Sequence, residues 1–182
     1  MIELRHRCAQ CAMFVLPAIL AAIAIAAPDD AAWEPLAFLI GNWTGEGTGA
    51  PGEGTGGFSF RYDLQGKVLV RKNHADYPKT KDRPAYSHED LMVIYKESPA
   101  APFRADYFDN EGHVIHYAIS ITPDHSSVEF VSDPAAAAPR FRFTYQRTGQ
   151  GTLGIKFEIA PPGKPEAFAP YIDAKARRIS AP

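Results

Sequence analysis

What constrains this chain most is a two-residue beat of apolar and polar side chains that restarts after every turn signal from Phe58 onward. Phe58, Phe60 and Tyr62 alternate with Ser59, Arg61 and Asp63, and residues 140–147 read RFRFTYQR. Successive side chains on a strand point to opposite faces, so this beat makes strands with one apolar face and cannot make a helix. The beat recurs at 67–75, 86–96, 103–108, 113–121, 127–132, 153–159 and 171–179, each run bounded by Gly, Pro, Asn or Asp. Asp109-Asn110-Glu111-Gly112 is a strong hairpin signal, because Asn and Gly accept positive φ. With the segment around Trp43 the chain offers ten strands, nearly all joined by short turns. No connection is long and periodic enough to be a crossover helix. The expected fold is therefore all-β, a ten-stranded antiparallel up-and-down β-barrel whose closure removes the two edges. A two-sheet sandwich is the alternative.

Ahead of the strands, Phe38 to Gly45 reads FLIGNWTG, where the glycines let two backbones approach and Trp43 would sit at the floor of a rolled sheet. Asp29-Asp30 followed by AAWEPLAFLI predicts a short N-capped helix closing one end, with Trp33, Leu36 and Ile40 on its apolar stripe. Pro35 fits only in its first turn. The glycine-rich run 45–57 lacks the Lys-Ser/Thr of a phosphate-binding loop and is read as a flexible hairpin turn.

The first residues read as a leader. Arg5, His6 and Arg7 precede the apolar run Ala12 to Ala27, and Ala24-Ile25-Ala26 fits a small-residue cleavage site. The expectation is a signal peptide over 1–26, one barrel domain over 27–182, and a periplasmic or secreted protein. Cys8 and Cys11 form a C-x-x-C ahead of the apolar run and leave with it, so the remaining chain has no cysteine and its core must suffice. Losing Glu3, Arg5 and Arg7 leaves 17 basic and 20 acidic residues, a net charge of −3 with His neutral. Such a mixed, weakly acidic surface gives no footprint for nucleic acid or an anionic membrane, and no stable membrane insertion is expected after cleavage.

Chemistry is sparse. His113 and His116 are three apart and face opposite ways on a strand, whereas His88 and Asp90 share a face but make an incomplete ligand set. No metal is expected. A Gly-x-Ser-x-Gly elbow is absent, which leaves an acid–base isomerase or hydrolase using His88, Asp90 or Asp106 as the enzymatic alternative. Several strands set ionisable residues among apolar ones: Arg71 and Asn73, Arg104 and Asp106, His116 between Val114 and Ala118. Facing inward, they describe a mostly apolar cavity with a few placed polar groups. Facing outward, they are surface, and Tyr107, Ile115, Tyr117 and Ile119 fill the inside. The functional expectation is a non-catalytic binder of a small hydrophobic or amphipathic ligand. Arg71, His88, Arg104, Asp106 and His116 are its polar candidates, with Trp43 and Tyr95 as aromatic lining.

FLIGNWTGEGTG followed by FSFRYDL resembles the opening of calycin-type barrels, the lipocalin and fatty-acid-binding group. Within it the chain looks most like nitrobindin-like barrels and a lipocalin-like bacterial family. Tyr86 to Met92 (YSHEDLM) resembles the His-x-Glu strand of the nitrobindin-like proteins. The resemblance, covering Leu36 to Arg178, implies a ten-stranded barrel with an interior cavity. Nitrobindins hold haem through a histidine near the chain's end, but Glu166 to Ile179 contains none. No cofactor is therefore expected, and haem stays an alternative.

Overall fold

The computed structural model describes residues 30–46, 54–135 and 137–179. The expected leader, its two cysteines and the Asp29 cap lie outside these residues. Strands β1 (Gly41–Glu46), β2 (Thr55–Asp63), β3 (Val68–Tyr77), β4 (Tyr86–Lys96) and β5 (Phe103–Asp109) run antiparallel in chain order. Strands β6 (Val114–Ile121), β7 (Ser127–Ser132), β8 (Arg140–Gly149), β9 (Thr152–Ala160) and β10 (Ala169–Ile179) continue the series. β1 then pairs with β10, from Asn42 opposite Ile179 to Glu46 opposite Lys175, and the sheet is a closed barrel. Gly112 takes φ +91° in the β5–β6 turn, as its Asn-Glu-Gly sequence demands.

One end of the barrel is plugged. Asp30–Trp33 is a single α-helical turn, α1, which tightens into a 3-10 helix over Glu34–Leu39 with Pro35 at its start. A 3-10 helix repeats every third residue, so the buried stripe is Trp33, Leu36 and Leu39, at 4%, 0% and 0% exposure. An α-helical continuation would have put Ile40 in place of Leu39; Ile40 is only half-buried. Burying these three side chains contributes roughly 5 kcal/mol or more before entropy is counted.

Trp43 ties the plug to the wall. Its indole N–H donates to the Leu39 carbonyl at 2.8 Å, and the Arg178 guanidinium lies 4.7 Å from its ring while donating to the Phe38 carbonyl at 2.9 Å. β1 and β2 meet so closely here that a Cβ at Gly57 would overlap the Trp43 carbonyl oxygen. Above the plug the core is fully buried, formed by Phe60, Leu69, Ile94, Ala105, Val128, Tyr145 and Leu153. Among the described residues no helix is long and apolar enough to cross a membrane.

Candidate functional site

Alternation assigns each strand a face, and the fully buried residues show which face is inside. Toward the plug, Leu69, Ile94, Ala105, Val128 and Leu153 are sealed, while Tyr62, Phe103 and Ile121 at that end are half-buried. Toward the opposite mouth, inward residues of the same strands are only half-buried: Asn73, His88, Tyr107, Ile115, Phe141, Phe143 and Phe157. An inward side chain on a closed barrel meets water through one of the barrel's ends. This end of the barrel therefore carries inward side chains that reach solvent, above the sealed core.

At the floor of this end, where that core begins, lies a polar centre. Arg71 on β3 and Asp90 on β4 are 5% and 9% exposed and form an ion pair through Nη1 and Oδ1. Register explains the meeting: Asn73 sits directly opposite Asp90, and Arg71 is its diagonal neighbour on the same face. Asn73 donates to the second Asp90 oxygen at 3.0 Å. The Arg71 guanidinium lies 5.4 Å from the rings of both Phe58 and Phe143. Burial alone would pull its pKa down, but its interactions with the Tyr145 phenol and the Asp90 carboxylate outweigh that and hold it above the ordinary value. The Arg71 guanidinium and the Tyr145 phenol are close enough to act on each other as side-chain hydrogen-bond partners, although no well-aligned bond reaches the Arg71 Nε or the Tyr145 oxygen. Tyr145 is fully buried, packs its ring 4.7 Å from Phe143 and 5.5 Å from Phe58, and has its pKa raised by desolvation.

Polar contacts continue up to the rim. His88 Nε2 meets Asp90 at 3.3 Å and the Tyr107 hydroxyl at 3.2 Å, and Nδ1 meets Glu111 at 3.1 Å. The Asp90 contact raises the imidazole pKa, burial opposes it, Glu111 raises it further, and the result is about 8. Tyr107 also donates to Asp109 at 3.3 Å, and desolvation raises its pKa. Asp109 would be pushed up by burial, but the backbone N–H and ring of His113 outweigh that and hold it below the usual carboxylate value. Among the described residues, His88, Asp109 and Glu111 each offer one ligand atom within 4.8 Å of the others, a grouping that could hold a cation. Each already has an internal partner, so they read as a hydrogen-bonded rim.

No family model and no curated protein matches the chain. The site therefore rests on its own geometry.

The residues singled out from sequence separate into three places. Arg71 and His88 face the lumen together. Trp43 faces inward at the plugged end, below the floor. Tyr95, Arg104, Asp106 and His116 lie on the outer wall, where Arg104 pairs with Asp133 and His116 meets Asp106 at 2.6 Å. Across β5 and β6 it is Tyr107, Ile115, Tyr117 and Ile119 that point inward, packed on the core. Asp90, Tyr145, Phe143 and Asn73 complete the interior group. Reading β3 against β4 places Arg71 with Asp90, because Leu69, Arg71 and Asn73 oppose Ile94, Met92 and Asp90. Tyr145 carries no such signal; in RFRFTYQR it reads as one more apolar position.

Proposed function

We propose that this protein is an exported, calycin-like barrel that holds one small amphipathic molecule in its lumen and does not transform it. The observation that carries the reading is the change along the inward face, from half-buried aromatic residues near the mouth to the buried Arg71–Asp90 ion pair below them. Phe141, Phe143, Phe157 and Ile115 offer an apolar sleeve, and Arg71 with its neighbours offers a polar end point. A mostly apolar pocket with a few converging polar groups is the usual form of a small-molecule site. Against catalysis stands His88, whose two ring nitrogens both face carboxylates, so that it has no free lone pair for a base. Export rests on the leader-like pattern of residues 1–26.

The test is native mass spectrometry of the full chain expressed in its own host and kept undenatured. The expected result is a second mass species heavier by one small molecule, lost on organic extraction and restored by adding the extract back. A bare mass throughout, together with no uptake of any amphipathic probe, would overturn the reading.

A further inference from the structure

We infer that the plugged end of the barrel carries a second binding site, a groove lined by Arg147 and Arg178 that takes a small organic dianion such as a phosphate monoester. It lies at the opposite end from the mouth and does not depend on the lumen reading. Alternation and register bring the two arginines there. Arg147 follows Phe143 and Tyr145 on the inward face of β8 and stands directly opposite Leu153. Arg178 follows Ala174 and Ala176 on the inward face of β10 and stands opposite Trp43. Each lies within two residues of the end of its strand, past the sealed core, so its side chain emerges at the end of the barrel and is exposed. The 3-10 plug fills only part of that end. Phe38 of the plug, Trp43, Leu153 and the β8–β9 turn leave an open groove of about 770 Å³ with both arginines on its wall. That is ample for a small molecule.

Charge decides what the groove takes. Of its lining residues only Arg147 and Arg178 are charged. Among the described residues neither pairs with a carboxylate. Arg178 lies over the Trp43 ring and donates to the Phe38 carbonyl at 2.9 Å. Arg147 lies 5.7 Å from the Phe38 ring and reaches the His125 carbonyl at a long 3.4 Å. Both guanidiniums thus lean on the same residue, and most of their N–H donors are left for a ligand. Glu34 of the plug is engaged by the His125 ring at 2.7 Å. A cleft lined by one sign of charge gathers counter-ions, and guanidinium bonds to phosphate or carboxylate are the strong kind. Phe38, Trp43 and Leu153 are nearly sealed, so apolar contact adds little and charge sets the selectivity. A monoanion leaves one guanidinium unmatched; a dianion matches both. Thr148, Gln150 and Thr152 add uncharged polar groups to the same wall. At the mouth, Asp109 and Glu111 repel such a ligand.

The experiment titrates the folded chain at low ionic strength and above neutral pH, where a phosphate monoester carries close to two negative charges. Four probes share one aromatic ring and differ in charge: phenyl phosphate, phthalate, benzoate and benzylamine. Binding is read by isothermal calorimetry, with the fluorescence of Trp43 beneath Arg178 as a second signal. At least one dianion should bind about fivefold or more tighter than benzoate, and benzylamine should not bind. The tighter of the two dianions names the head group. Added salt should weaken the dianion strongly. Arg147→Gln should weaken it about fivefold while leaving the thermal midpoint nearly unchanged, since the exposed side chain makes only slight contacts. Lys72→Gln, on the outer wall of β3, should leave binding as it is. Arg147 carries the test because losing Arg178 also loosens the plug. Benzoate within about twofold of both dianions, an Arg147→Gln variant that binds as before, or no dianion bound at about 10 mM overturns the inference. Each of these results leaves the lumen reading standing.

Discussion

Replacing Arg71 by Met tests whether the buried ion pair is the structural keystone of the lumen floor. Asp90 is left as a carboxylate whose side chain is 4% exposed. Removing one member of a buried pair costs about 3–5 kcal/mol, because the remaining charge is neither solvated nor paired. Here Asn73 at 3.0 Å and His88 at 3.3 Å still contact Asp90, which places the loss at the lower end, about 3 kcal/mol. Against a total stability of roughly 5–15 kcal/mol this is a large share. With a urea slope near 2 kcal/mol per molar, the unfolding midpoint should fall by about 1.5 M. The double variant Arg71→Met with Asp90→Leu removes both charges, and Asn73 and His88 can turn to water at the mouth. It should recover to within about 1 kcal/mol of the unaltered protein. The assay is equilibrium urea unfolding followed by tryptophan fluorescence. A midpoint shift below about 0.5 M for Arg71→Met, or a double variant as unstable as the two single losses added together, would refute the reasoning.

Two further outcomes are expected. His88 has a pKa raised to about 8 in the folded protein, so its contribution is complete below the unfolded value of about 6.5 and is lost as pH rises through 8. With the ring 23% exposed, solvent screening reduces this to about 1 kcal/mol. Urea midpoints should therefore decline from pH 6 to pH 9, and His88→Gln should flatten that decline. Gly57→Ala forces a methyl group onto the Trp43 carbonyl oxygen where β1 and β2 lie closest, and should cost about 2 kcal/mol or more. Its thermal midpoint should drop by several degrees, whereas Gly149→Ala, where an added Cβ meets nothing closer than Thr152 at 3.9 Å, should move it little.

The strand pattern was legible because the two-residue beat reports directly on backbone geometry. β4 and β7 span Tyr86–Lys96 and Ser127–Ser132, as the alternation alone indicates. β10 starts at Ala169, before the beat becomes visible, because its register shifts between Pro170 and Ile172 and masks the alternation. The choice of face was not legible. Arg71 and Arg104 look alike in sequence, each an arginine among apolar residues. Arg71 turns in because β4 supplies Asp90 on the matching face, and Arg104 turns out because Asp133 waits on the outer surface. Only the register between strands, a long-range property, separates the two. The plug shows a smaller effect of the same kind: its apolar residues suit either helical period, and packing on the barrel floor selects the tighter one.

All strand pairings but one join neighbours along the chain. The exception, β1 with β10, also carries the Arg178–Phe38 contact between residues 140 positions apart. Hairpins can form early and locally, but this seam must wait for nearly the whole polypeptide to be made and gathered. Until it shuts, a half-rolled sheet presents two raw margins to its neighbours in solution. The seam therefore governs the speed and hazard of maturation more than final stability, and weakening it should show first as slower refolding and more aggregate.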